Sequence, residues 1–338
     1  MRYSFIIPVY NRPEEIGELL DSLTHQTVRD FEVIIVEDGS EISCENVCNS
    51  YREQLDLHYF KKKNSGPGQT RNYGAKQAKG SYLLILDSDV VLPPDYLKAI
   101  NKELDYKPSD AFGGPDRAAE SFTPLQKAIS ISMTSFLTTG GIRGGKKKLD
   151  KFYPRSFNMG IRREVYENLG GFSNMRFGED IDFSIRIYKN NYHCRLFPEA
   201  WVWHKRRTDF KKFWKQVFNS GIARINLYKK YPESLKIVHL LPAIFTIGVS
   251  CMLLLSLIGI ISRLTLLIWV PLTPLVIYYL SVLLDGLKES HSFYIGILAG
   301  CAAYVQLTGY GCGFLKAWWR MCIRGKSEFS AYQNTFYK

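Results

Sequence analysis

The chain has 338 residues, 46% of them apolar, with 44 lysines and arginines against 32 aspartates and glutamates. That length accommodates one α/β domain of about 200–250 residues and a smaller appendage. The net charge of +12 is confined: residues 1–204 carry 27 basic and 27 acidic side chains, 205–236 carry 10 and 2, and 316–338 carry 5 and 1. Basic runs beside apolar segments point to an anionic membrane surface and away from nucleic acid.

Taken in order, Tyr3–Val9 is a short apolar run and predicts a buried strand. It is too short for the core of a signal peptide, so the N-terminal part is expected in the cytoplasm. Pro13 suits the first turn of a helix whose apolar face is Ile16, Leu19, Leu20 and Leu23. Residues 31–36 form a second strand, stopped at Glu37-Asp38-Gly39-Ser40. A polar helix is expected around 44–55, a strand at 57–60, a loop at 61–68, a helix at 69–79 and a strand at 82–86. This alternation predicts a doubly wound parallel sheet of the α/β class. Such sheets bind ligands beyond the carboxyl ends of their strands. Cys44 and Cys48 are the only cysteines close in sequence; with no second pair, reduced thiols are expected rather than zinc or a disulfide framework.

The glycine- and lysine-rich run at 138–151 suits a mobile segment over a site or a plain surface loop. Three segments without charge follow, at 237–262, 264–284 and 292–315. Each is long enough to span about 30 Å of hydrocarbon. Arg263 marks a tight turn between the first two. Gly309, Gly311 and Gly313 weaken the third as a helix, and the basic tail favours two spans plus a re-entrant or interfacial third segment.

Several polar groups fall at strand ends. Asp87-Ser88-Asp89 closes the strand 82–86, and carboxylates at i and i+2 can converge on one hard cation. A cation there would neutralise a departing diphosphate. A carboxylate from Glu37 or Asp38 can accept the N–H of a uracil or guanine base. The loop Asn64-Ser65-Gly66-Pro67-Gly68 runs into a helix carrying Arg71, which can set backbone amides and a cation beside phosphate or base. It lacks the dinucleotide spacing G-x-G-x-x-G. Glu179 and Asp180 begin a helix, where they serve either as simple caps or as a general base. His204 follows an aromatic strand and precedes Arg206 and Arg207, which suit a metal shell and phosphate oxygens respectively, or a membrane surface.

In this order, Phe5 to Asn11, Glu37 to Ser40, Asn64 to Gly74, Asp87-Ser88-Asp89, Asn158-Met159-Gly160, Gly170-Gly171-Phe172 and Gly178-Glu179-Asp180 resemble the family 2 glycosyltransferases of the GT-A fold, in their bacterial membrane-anchored form. The resemblance covers about residues 1–230. It implies a doubly wound mixed sheet that binds a nucleotide sugar, then a C-terminal α-helical membrane region at 231–320 and a basic tail at 321–338. It implies that Pro8, Tyr10 and Asn11 line the nucleotide pocket, with Asp38 (or Glu37, where many members carry Asp) on the base and Asn64 and Arg71 near the nucleotide. Asp87, Ser88 and Asp89 would hold ribose and a Mg2+- or Mn2+-bound diphosphate. Asn158 and Gly160 would border the donor sugar, Asp180 would be the catalytic base beside Glu179, and His204 would approach the metal. The Q-x-x-R-W signature of processive synthases is absent, which argues against a polymerising enzyme.

The implied activity is inverting sugar transfer from a nucleoside-diphosphate sugar, a UDP-sugar by preference. The implied acceptor is a membrane lipid or lipid-linked saccharide at the cytoplasmic membrane, in envelope polysaccharide synthesis. Rivals are a sugar-1-phosphate nucleotidyltransferase, which would need a glycine-rich loop where Tyr10 to Glu14 stand, and a catalytically inactive nucleotide-sugar binder or scaffold. Retention of Asp87, Asp89 and Asp180 together speaks against the latter.

Overall fold

A computed structural model describes residues 1–119, 121–139, 152–175 and 177–327. The expected loop at 138–151 therefore lies outside the described residues from 140 onward, as does the tail from 328. In chain order the elements are β1 (Tyr3–Val9), α1 (Pro13–Thr24), β2 (Phe31–Asp38), α2 (Glu45–Asn49), β3 (Leu57–Lys62), α3 (Pro67–Gln77), β4 (Tyr82–Leu86), β5 (Val90–Val91), α4 (Tyr96–Tyr106), β6 (Ala111–Gly113) and β7 (Asp116–Arg117). Then come α5 (Pro124–Thr134), α6 (Phe136–Thr139), β8 (Asn158–Arg162), α7 (Arg163–Asn168), α8 (Glu179–Lys189), β9 (Cys194–Leu196), β10 (Val202–His204), α9 (Phe210–Lys230), α10 (Leu241–Ser262), α11 (Thr265–Ser290) and α12 (Phe293–Trp318).

The described residues form two compact units, one from 1–119 and 152–205, the other from 121–139 and 206–327. The division falls before α9, not after it: α9 is grouped with the apolar helices.

The first unit is built on a seven-stranded sheet in the order β3-β2-β1-β4-β8-β6-β9, with a small sheet β5-β10-β7 beside it. β1, β2, β3 and β4 are parallel, as their alternation with helices predicts. β8 runs antiparallel to both β4 and β6, so the sheet is mixed. Strand propensity carries no direction, which is why the sequence pattern reads as all-parallel. α1 forms because Pro13 presets its first turn and Glu14 and Glu15 favour its amino end. Its Ile16, Leu19, Leu20 and Leu23 are fully buried, each contributing about 1.5–3 kcal/mol against exposure. They pack on Phe5, Ile7, Val33 and Ile35, while Ile6, Ile34, Val36 and Ile85 form the core of the other face. Gly74 of α3 lies against that second face; a Cβ there would meet Ile6 at 2.9 Å.

The second unit is helical. Residues 237–262, 265–290 and 293–323 are each long and apolar enough to cross a membrane. Arg263 ends α10 in the left-handed conformation, φ 58°, giving the expected tight turn. α12 is one unbroken helix through Gly309, Gly311 and Gly313, contrary to the expectation that these glycines weaken it. A Cβ at Gly309 would meet Val217 at 2.6 Å, one at Gly311 Thr246 at 2.0 Å, and one at Gly313 the Phe218 carbonyl at 2.0 Å. Close backbone approach to α9 and α10 offsets the intrinsic cost of helical glycine, about 1 kcal/mol each. Gly221 of α9 reciprocates, since its Cβ would fall 2.1 Å from the Tyr310 carbonyl. α5, which begins in a capping box of Thr123 and Gln126, joins this unit. Ser132 donates to Gln306 (2.7 Å) and Ser135 to Asp285 (2.6 Å). Outward faces of α10 and α11 stay apolar and exposed, as at Ile244, Ile261, Leu266 and Val270. Patches of that kind mark a protein or lipid contact.

Candidate active site

The carboxyl ends of β1, β2, β4 and β10 bring together most of the residues expected to carry chemistry. Asp87, Asp89 and His204 offer ligand atoms all within 4.8 Å of one another. His204 Nε2 lies 3.3 Å from Asp89 Oδ1 and Nδ1 lies 3.7 Å from Asp116 Oδ2, and its ring stacks on Phe157 at 4.8 Å. The position follows from the small sheet, where His204 pairs with Val90 directly after the acidic turn. Two carboxylates and an imidazole form a donor set that fits a divalent cation, Mn2+ better than Mg2+, which prefers oxygen ligands alone. The second oxygen of Asp89 accepts a hydrogen bond from Arg12. Ser88 between them is buried.

Arg71, 3% exposed, lies between two carboxylates. It donates to Asp87 Oδ1 at 2.6 Å and to Glu179 Oε1 at 3.2 Å, with its guanidinium 5.3 Å from the Phe172 ring centre. Arg71 thus ties the acidic turn after β4 to the first turn of α8. Burial, then the charge of Asp180, pushes the Glu179 carboxyl up to about 7, against the opposing pull of Arg71. Asp180 Oδ2 lies 3.0 Å from Arg155 Nε, and its Oδ1 accepts from the Ile181 amide at 2.8 Å. Its side chain is 14% exposed. α8 starts at Gly178, φ 84°, without a side-chain cap, so both carboxylates lie over the open amino end.

On β2, Glu37 and Asp38 point to opposite faces. Glu37 accepts from Tyr59, from Ser43 Oγ at 2.8 Å and from the Cys44 amide at 3.1 Å. Burial opposes its charge, but these bonds and one from Ser40 outweigh it and hold the carboxyl below its ordinary value. Asp38 takes the Ser65 amide (2.9 Å), the Gly66 amide (2.8 Å) and Lys62 Nζ (2.5 Å). Asn64 Nδ2 donates to the Asp38 carbonyl at 3.0 Å. Asp38 therefore anchors the glycine-rich loop, leaving little of its acceptor capacity for a base. Pro8, Tyr10 and Asn11 sit at the end of β1, half-buried. Asn11, at φ 52°, accepts from the amides of Glu41 (2.8 Å) and Ile42 (3.0 Å) and so fixes the turn after β2.

Asn158 and Gly160 have structural partners. Tyr96 donates to Asn158 Oδ1 at 2.7 Å, and Asn158 Nδ2 donates to the Ala200 carbonyl at 2.8 Å. A Cβ on Gly160 would fall 2.0 Å from Phe112 Cζ, so this glycine makes room for a ring. Arg206 and Arg207 open the helical unit, where the Arg206 carbonyl accepts from Gln126 at 2.9 Å.

Sequence reasoning missed Arg12, Lys62, Asn72, Asp116 and Arg155. Arg12 had a signal, since it lies in the short turn between β1 and α1. Arg155 had none, because its place beside Asp180 arises from contact between segments distant in sequence. Asn72 holds the Gly170-Gly171-Phe172 turn, donating to the Phe172 carbonyl and accepting from the Phe172 amide, both at 2.8 Å.

The glycosyl transferase family 2 model matches residues 4–170, from β1 to just beyond α7. The chain is 27% identical to the probable glycosyltransferase YdaM of Bacillus subtilis over 239 residues, 67% of this chain and 56% of that one. It is 31% identical to an uncharacterized glycosyltransferase of Haemophilus influenzae over 193 residues, 54% of this chain and 61% of that one. It thus spans less than two thirds of the length of these relatives. Among solved structures, the mannosyltransferase PcManGT of Pyrobaculum calidifontis, in complex with GDP-Man and Mn2+, matches with a TM-score of 0.57 and 16% identity over 94% of this chain and 87% of that one. At that identity the likeness concerns the fold. Sequence and sheet agree: residues 4–170 carry a glycosyl transferase family 2 domain, on a sheet of GT-A type.

Proposed function

We propose that this chain transfers a sugar, with inversion, from a nucleoside-diphosphate sugar to a hydroxyl group of an acceptor presented at a membrane surface. The observation that carries the reading is the pairing of two charge centres. Asp87, Asp89 and His204 bring together ligand atoms that could hold a cation, and Arg71 couples them to Glu179, next to Asp180.

Asp180 is the general base. Arg155 and the Ile181 amide orient its carboxylate, which takes the proton as the acceptor oxygen attacks the anomeric carbon. Glu179 stays with Arg71 and holds the site's geometry. Asp87, Asp89 and His204 would hold Mg2+ or Mn2+, which would supply positive charge to offset that of the leaving diphosphate. Pro8, Tyr10, Asn11 and Asn64 frame the nucleotide pocket, with UDP the expected nucleotide. Arg206 and Arg207 keep their expected role as contacts of phosphate oxygens or anionic lipid. Asn158 and Gly160 shape the wall of the site rather than contacting the sugar through side chains.

The three apolar helices and the basic stretch at 205–236 support placement in a cytoplasmic membrane, with the sheet domain on the cytoplasmic side. That placement favours a lipid or lipid-linked saccharide acceptor, as used in envelope polysaccharide synthesis. The test is nucleoside-diphosphate release by the detergent-purified protein over a panel of nucleotide sugars, with and without membrane lipid. The expected result is release from one donor, stimulated by lipid and abolished by chelator. Asp180→Asn should lose about 10²–10⁴-fold in turnover while still binding that donor. Near-normal turnover in Asp180→Asn would remove it as the base.

A further inference from the structure

A second group of metal-ligating side chains lies at the opposite, amino end of the sheet. Glu32 of β2 pairs with Ser4 of β1. Its Oε1 accepts from Ser4 Oγ (2.6 Å), the Lys79 amide (2.6 Å) and the Gly80 amide (3.3 Å). Its Oε2 is buried and accepts no hydrogen bond, in a residue that is 0% exposed. On the edge strand β3, His58 pairs with Ile34 and is therefore the diagonal neighbour of Glu32 on the same face. His58 Nε2 is 3.5 Å from Glu32 Oε2 and 3.2 Å from Asp56 Oδ1, and it too is buried without a hydrogen-bond partner. All three ligand atoms lie within 4.8 Å of one another.

A buried carboxylate with one bare oxygen calls for a cation. With bonds of about 2.0–2.1 Å, a tetrahedral ion sets its ligand atoms about 3.3–3.4 Å apart. The separations of 3.5 and 3.2 Å bracket that value. Octahedral Mg2+ would need about 2.9 Å between neighbouring ligands, and it disfavours imidazole. We propose that Glu32, Asp56 and His58 hold a divalent transition-metal ion of the zinc class. Solvent completes its shell on the open side, where Asp56 is 49% exposed. The ion would fasten the edge strand β3 to β2, a structural role independent of sugar transfer.

The test uses the metal-stripped, detergent-purified full chain at about pH 8, because protons compete with a metal for its ligands at lower pH. Co2+ serves as the spectroscopic probe. One equivalent should give the visible absorption of a tetrahedral ion. Asp89→Asn should keep that signal, whereas His58→Asn and Asp56→Asn should each lose it. Zn2+ should displace the signal and raise the melting temperature of the wild type but not of His58→Asn. An unchanged Co2+ spectrum in both His58→Asn and Asp56→Asn would overturn the proposal. So would a wild-type melting temperature indifferent to Zn2+.

Discussion

Glu179→Gln tests the electrostatics of the site most directly. In the folded chain the Glu179 carboxyl is raised from 4.5 to about 7 by burial and the neighbouring Asp180 charge. Between those two values the folded protein holds a proton that the unfolded chain has released. The resulting stabilisation is complete below the lower value and is lost as pH rises through the upper one. The interval is worth about 3 kcal/mol. The substituted amide would still offer an oxygen to Arg71 but would not titrate. We expect the melting temperature of the detergent-purified wild type to fall, relative to Glu179→Gln, as pH rises from about 4.5 to about 8. The relative fall should be about 6–12 °C, at about 2–4 °C per kcal/mol for a domain of this size. Comparing the two proteins cancels the titration of other carboxylates. Parallel curves for the two proteins across this range would refute the reasoning, because Glu179 would then be ionised in the folded state throughout.

Other perturbations follow from the same geometry. Arg71→Met leaves Asp87 and Glu179 without their shared cation and should cost about 3–5 kcal/mol in chemical denaturation. Gly160→Ala drives a methyl group into Phe112 and should lower stability by about 1–3 kcal/mol, read as a drop in melting temperature. Gly313→Ala should destabilise the helical unit, because its Cβ meets the Phe218 backbone at 2.0 Å. Gly248→Ala on α10 meets nothing within 4 Å and should be neutral or stabilising by up to about 1 kcal/mol. Equal melting temperatures for Gly313→Ala and Gly248→Ala would show that α9 and α12 do not depend on close approach.

The sequence by itself determined the elements whose signals are local. The apolar runs of β1, β2 and β4, the turn after each and the helical spacing of α1 are properties of short windows, so they were legible without the fold. The acidic turn Asp87-Ser88-Asp89 and the pair Glu179-Asp180 were legible for the same reason, as polar groups at element ends. The three apolar segments needed only length and composition.

Tertiary structure decided everything that depends on which segments meet. It set β8 antiparallel between β4 and β6, and it assigned α9 to the helical unit. It kept α12 helical, because a glycine's local cost is small beside the packing its missing side chain allows. It committed Asp38 to the loop at Ser65 and Gly66, and Asn158 to Tyr96 and Ala200. It also set Arg71 between two carboxylates that lie 16 and 108 residues away in sequence. A residue's type limits the bonds it can make, but only the fold selects its partners, because a buried polar group must be satisfied by whatever lies within about 3 Å.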